Sequence, residues 1–219
     1  TLGFNAIRAN PHINGVNLTG ALDHGQTGEG VANTYFREWQ PGAFEAMYDG
    51  FYPLRWWLFS EPVHVYRGAA ITLEAVLANE DVLAAGEYPA RLEVFDAGRQ
   101  VVFSRKIQVK VPSVVDGVEP PLAFGVFSEE VKADWPEGKY HWVATFEHGA
   151  AAAGGEVEFY VTDRQLMPEA ETEVVLAGKD PGDWLKRNHI TTIPLEAADP
   201  SSRQVIVVFD EIAAERKAE

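Results

Sequence analysis

Residues 70–78, AITLEAVLA, decide how this chain is read: Ile71, Leu73, Ala75 and Leu77 alternate with Thr72, Glu74 and Val76. A period of two sends successive side chains to opposite faces of a pleated strand, so the segment is an antiparallel strand with one apolar and one wetter face. The period recurs downstream. Val101, Phe103, Ile107, Val109 and Val111 alternate with Gln100, Ser104, Lys106, Gln108 and Lys110; Tyr140, Trp142, Ala144 and Phe146 alternate with His141, Val143 and Thr145; and Val157, Phe159 and Val161 stand opposite Glu156, Glu158 and Tyr160. Strands are predicted near 54–59, 63–66, 70–78, 87–96, 100–111, 121–131, 139–148 and 155–162. Eight strands in about 110 residues fit an immunoglobulin-like antiparallel β-sandwich. Leu73, Leu92, Phe103, Trp142 and Phe159 are expected inside it. An internal echo accompanies the strands: Gly86-Glu87-Tyr88 and Gly138-Lys139-Tyr140 each launch one after a turn.

The flanks have a different texture. Residues 10–30, NPHINGVNLTGALDHGQTGEG, carry five glycines around a short apolar stretch. Val16 to Leu22 is predicted as one buried strand running into a Gly-rich loop, and Pro41 to Tyr48 as a short helix that stops at Asp49-Gly50. After Asp163 a polar linker leads to Val174–Ala177, then to Asp180 as the cap of a helix starting at Pro181, then to Ile193-Pro194-Leu195. The apolar run Val205 to Phe209 follows, and a charged, helix-like tail starts at Glu211. This reads as a small or partial α/β segment in which Val174–Ala177 and Val205–Phe209 pair in parallel. Three segments result: 1–50, 51–163 and 164–219.

Composition excludes several classes. Among 219 residues, 33 acidic against 18 basic side chains leave a net charge of −15, which repels phosphate backbones and anionic membranes. No nucleic acid and no membrane is expected as a partner, and no apolar run approaches the ~18 residues of a membrane span. The absence of cysteine removes thiol nucleophiles and thiolate metal sites. His12 and His24 lie too far apart for a metal-ligand motif, and no metal or cofactor is expected. The start at Thr1-Leu2-Gly3, without methionine, reads as a processed chain or a piece of something longer.

Candidate functional residues are few. Gly25–Gly30, GQTGEG, fails as a phosphate cradle because no Gly-Lys-Ser/Thr follows and Glu29 sits where amides would be needed. Asp23, His24 and Glu29 cluster just after the predicted strand and are candidate substrate contacts; the plainer alternative is a capped, solvated turn. Among six tryptophans, Trp142 falls on an apolar strand face. Trp56 and Trp57 are adjacent, so in a strand they face opposite sides and one of them can be core, while Trp135 precedes Pro136 in a turn. Trp56, Trp57 and Trp135 are candidate rings for stacking on a sugar, or else plugs in the seams between segments.

Residues 15–25, GVNLTGALDHG, resemble the eighth barrel strand of glycoside hydrolase family 2 enzymes, the β-galactosidase and β-glucuronidase group, with Asp23, His24 and Gly25 on its Asp-Gln-Gly-like ending. Thr19 stands where family members commonly carry a tryptophan. Pro41-Gly42 and the Pro53-Leu54-Arg55 entry are similar to the passage from such a barrel into a C-terminal sandwich, and the stretches LFSEPVHVYRG and LEAVLANEDVLAAGEYPARLEV resemble sandwich modules of large glycosidases in this group. The resemblance covers roughly residues 10–162. It implies a non-catalytic C-terminal portion of a glycoside hydrolase, with 1–50 a remnant of the last β/α unit, the sandwich buttressing the barrel, and the rest of that barrel as partner. The acid/base and nucleophile carboxylates would come from other barrel strands, so the chain alone is expected to be inactive. Two alternatives remain open: a self-sufficient Asp23–Glu29 carboxylate pair, and a stand-alone carbohydrate-binding sandwich.

Overall fold

In the computed structural model, which describes residues 2–13, 15–17, 20–23, 30–167 and 171–209, the alternating segments become β1 Leu54–Glu61, β2 His64–Tyr66, β3 Ala70–Asn79, β4 Gly86–Phe95, β5 Val101–Val111, β6 Ala123–Lys132 and β7 Gly138–Phe146. The two-residue β8 Ala153–Gly154 and then β9 Glu156–Thr162 complete the series. They form two sheets, ordered β6-β3-β1-β8 and β2-β9-β7-β4-β5. The long strands pair antiparallel. Pro62, with no N–H to extend the ladder of β1, marks where the chain crosses between sheets: β1 pairs with β3, and β2 with β9. The fold is a mainly β sandwich of immunoglobulin-like type.

Its core is the inward face of both sheets. Ile71, Leu73, Ala75 and Leu77 of β3 pack in one cluster with Leu92 and Val94 of β4, Trp142 of β7 and Phe159 of β9, all fully buried. Phe103 is half-buried against the Trp142 ring at 6.2 Å. Each such side chain contributes on the order of 1.5–3 kcal/mol by leaving water. Antibody domains also join their sheets by a disulfide between the second and sixth principal strands. With no cysteine, this chain uses an indole instead: Trp142 Nε1–H on β7 donates to the Glu74 carbonyl on β3 at 3.1 Å.

The Gly-x-Tyr echo has a structural meaning. Tyr140 Oη–H donates to Pro136 O at 2.7 Å, and Tyr88 Oη–H donates to Ala84 O at 3.0 Å. Each hydroxyl ties the start of its strand to the carbonyl four residues upstream, the tyrosine corner of immunoglobulin-like sandwiches, here built at both β4 and β7. At the edge beside β1, Gly154 and Gly155 adopt φ of +66° and +90°. A Cβ on Gly154 would lie 2.7 Å from Trp56 O, and one on Gly155 would lie 2.6 Å from Ala144 O. Only glycine lets the chain pass there.

Residues 1–162 form one compact unit. It includes two helices before the sandwich, α1 Leu2–Arg8 and α2 Ala43–Gly50. The buried strand expected over Val16 to Leu22 is not formed by its described residues. They make only an isolated bridge, Leu22 with Ala32, and Leu22 is exposed. A strand is held by a ladder of neighbours, and among the described residues only the single bridge at Ala32 lies alongside this stretch.

Residues 163–219 form the second unit. Strands β10 Glu173–Ala177, β11 Thr192–Pro194 and β12 Gln204–Val208 make a parallel sheet ordered β11-β10-β12. Val174–Ala177 pair in parallel with Val205–Val208, as the sequence predicts. A 3₁₀ turn, Pro181–Asp183, starts where the helix is expected, and the α-helix itself follows as α3 Trp184–Arg187, because Gly182 and Asp183 take positive φ. Asp180 reaches past that turn, and its Oδ2 accepts the Leu185 N–H at 2.9 Å.

Candidate functional site

The functional candidates lie on residues 2–50 and on the sandwich face beneath them. Residues 55, 57 and 59 of β1 point away from the inter-sheet core, yet that outer face is not wet. Trp57 is 1% exposed in a second cluster with Ala78 and Ala123, covered by Phe4 and Ala9. Phe4 also lies against Gly50, where a Cβ would come within 2.6 Å of its ring, and packs edge-on with Phe51 at 5.1 Å. Arg8 pairs with Glu80 and donates through Nη2 to Tyr52 O at 3.2 Å. The Arg55 guanidinium sits 4.5 Å over the Trp57 ring, with Nη1 3.7 Å from Asp49 Oδ2. Burial pulls its pKa below the ordinary arginine value, and Asp49 opposes that pull. A cavity of about 130 Å³, lined by Ile7, Arg8, Ile13, Phe51 and Leu122 among others, lies in the same seam.

This seam corrects the reading of the adjacent tryptophans. Trp56 is 2% exposed in the main core, 4.8 Å from the Phe146 ring, and Trp57 is buried under α1, so neither offers a face to a sugar. Trp135 is half-buried, with Tyr140 at 5.5 Å and Phe159 at 6.0 Å. The sequence signal for double burial is Leu54-Arg55-Trp56-Trp57-Leu58-Phe59 itself. A strand with almost no polar alternation is covered on both faces.

Asp23 sits where two stretches of chain meet. Its N–H donates to Ala32 O at 2.7 Å, and Ala32 N–H donates to Ala21 O at 3.1 Å. Gly30 is buried against it so closely that a Cβ would fall 1.7 Å from Asp23 N. The Asp23 Oδ1 atom is buried without a hydrogen-bond partner among the described residues. His24 and Glu29 lie outside the described residues. His12 is exposed, its N–H bonded to Asn10 Oδ1 at 2.9 Å. Among the described residues no three histidine or carboxylate side chains converge as metal ligands.

Beyond Asp23 the chain presents aromatic side chains that the sequence reading passed over. A hairpin closed by Gln40 N–H to Val31 O and Asn33 N–H to Glu38 O, both 2.8 Å, displays Tyr35 and Phe36, 84% and 78% exposed. From its base runs a strip of four rings. Trp39 meets Phe44 at 5.6 Å, Phe44 meets Tyr48 at 6.1 Å, and Tyr48 meets Tyr52 at 5.3 Å, their hydroxyls 3.1 Å apart. The hydrogen bond with Tyr48, in which a protonated Tyr52 can donate, pushes the Tyr52 hydroxyl pKa up, with Asp49 adding to the shift. All four rings are exposed. The rings turn toward one another rather than lying in one plane, so they make a compact apolar ridge and not a flat sugar platform. Phe44, Tyr48 and Tyr52 at four-residue intervals were the available signal.

No family model and no curated protein matches this chain. Solved structures do resemble it. The alkylpurine DNA glycosylase AlkC of Pseudomonas fluorescens aligns over 54% of this chain and 32% of its own, at 11% identity and TM-score 0.35. The Parabacteroides merdae β-glucuronidase aligns over 49% of this chain and 13% of its own, at 15% identity and TM-score 0.32. The CARDB domain of the Pyrococcus furiosus PF1109 protein aligns over 52% of this chain and 90% of its own, at 13% identity and TM-score 0.33. This chain thus spans about a third of the DNA glycosylase AlkC and about an eighth of the β-glucuronidase. Likeness at this level carries no argument about chemistry.

Proposed function

We propose that this chain is the non-catalytic C-terminal portion of a family-2-like glycoside hydrolase, in which residues 1–50 complete the catalytic barrel and the sandwich buttresses it. The observation that carries the reading is the aromatic strip Trp39, Phe44, Tyr48 and Tyr52. The segment resembling a last β/α unit is fixed to the sandwich through Phe4 and Trp57, and bears along α2 and its two flanks a row of rings open to solvent. A contiguous exposed patch of this kind marks an interaction face. In a closed barrel each helix is flanked by neighbouring β/α units, which would cover such a strip. Asp23, with one buried oxygen lacking a partner among the described residues, would then stand at the barrel mouth as an acceptor for a sugar hydroxyl, with His24 and Glu29 following it in the sequence.

The hydrolytic pair of carboxylates would be supplied by the other barrel strands. The isolated chain is therefore expected to release no aryl aglycone above background, and turnover abolished by Glu29→Gln would overturn the proposal. In an enzyme carrying the complete barrel, Asp23→Ala is expected to lower kcat/KM by roughly 5- to 150-fold, the effect of losing about 1–3 kcal/mol of hydrogen bonding to substrate. An unchanged kcat/KM would reduce Asp23 to a turn residue.

A further inference from the structure

Strand β12 lies at the edge of its sheet but has the composition of a central strand. Its residues, Gln204-Val205-Ile206-Val207-Val208, include no charge and no proline. Natural edges are blunted by charge, proline or shortness. The opposite edge is blunted in this way, since β11 has three residues and ends in Pro194. Val174, Val175 and Ala177 of the central β10 are buried, whereas Val205, Ile206 and Val208 are 50%, 56% and 47% exposed. Val205 and Ile206 are successive residues and point to opposite faces, so both faces of β12 are open. One rim of the strand pairs with β10 from Glu173–Gln204 to Ala177–Val208. Along the other rim no described strand is paired.

We infer that this free rim is a self-association edge, which takes β12 of a second copy antiparallel about a two-fold axis and joins two three-stranded sheets into one. The flanking charges select both occupant and direction. Arg203 precedes the strand, and Asp210 and Glu211 follow Phe209 in the sequence. An antiparallel register centred on Ile206 sets Gln204 of one copy opposite Val208 of the other and turns the basic flank at Arg203 toward the end at which the other copy's sequence becomes acidic. Two copies side by side in parallel would bring like charges together at each end. Between the charged ends valine and isoleucine meet valine and isoleucine. Because Pro194 closes the other edge, pairing stops at two chains and yields a closed dimer, not a fibre. The net charge of −15 on each copy works against association at low ionic strength, and salt screens that repulsion.

The test is light scattering coupled to size exclusion, from micromolar to sub-millimolar chain, together with amide hydrogen exchange. The expected result is a concentration-dependent rise to twice the monomer mass, strengthened by salt, with amides of residues 204–208 protected in the dimer. Ile206→Lys places a charge on an exposed edge position and should give a monomer with an unchanged circular dichroism spectrum. Val208→Lys serves the same purpose if that variant fails to fold. A wild-type monomer throughout the range, a dimer undiminished in a folded lysine variant, assemblies larger than two, or a dimer with unprotected 204–208 amides would each overturn the inference.

Discussion

Trp142 performs two tasks with one side chain. It fills the centre of the sandwich, and its Nε1–H crosses between the sheets to the Glu74 carbonyl. Trp142→Phe keeps much of the packing but leaves that carbonyl without its donor, so chemical denaturation should show a loss of about 1–3 kcal/mol. Trp142→Ala adds a cavity and should cost about 3–5 kcal/mol. Tyr140 combines burial and a hydrogen bond in the same way. Burial, with a contribution from Asp96, raises its hydroxyl pKa above the ordinary 10.0. The protonated form is the one favoured by folding, so its contribution to stability is complete below about pH 10 and is lost as pH rises through the folded value. Wild type should therefore show an alkaline loss of stability that Tyr140→Phe lacks, and that variant should be weaker by about 1 kcal/mol near neutrality. An identical pH dependence in the two proteins would contradict this assignment.

At the scale of elements, what was legible depended on how many faces of a segment touch water. Strands β3, β7 and β9 each keep one wetter face, and their alternation located them within about two residues, the usual margin for element ends. Strand β1 carries no such signature, because α1 covers its outer side. Adjacent Trp56 and Trp57 suggested one ring inside and one outside, whereas both are buried. The reverse error occurred at Val16 to Leu22, where an apolar run implied a strand although no described neighbour supplies a ladder. The close passage at Gly154 and Gly155 gave no sequence sign beyond the glycines themselves. Gly154→Ala should be destabilising by more than about 1 kcal/mol, since positive φ and the Trp56 carbonyl both oppose a Cβ. A thermal shift within error of wild type would show that the β8 edge can relax. Asp180→Ala, which removes the acceptor for the Leu185 N–H, should cost about 1 kcal/mol in the second unit.

At the scale of the whole molecule, two compact units divide the chain at Thr162 and Asp163, and the N-terminal helices share a unit with the sandwich. The loop at Asp23 and the ridge at Trp39–Tyr52 are thereby anchored to a rigid β scaffold. The candidate site was legible only in part. Asp23 was found from its place after an apolar run, but the ridge was hidden because Phe44, Met47 and Tyr48 also match the buried face of an ordinary short helix. The central claim, that this ridge is the seat of a barrel, is tested most directly by complementation. The chain is mixed with a family-2-like barrel polypeptide that ends before its last β/α unit, and aryl-glycoside turnover is followed. The account predicts association and turnover in the mixture, neither part being active alone, and loss of both with Phe44→Ser/Tyr48→Ser, a variant of exposed residues that leaves the isolated chain folded. Absence of association, or turnover by the isolated chain that Glu29→Gln removes, would contradict it.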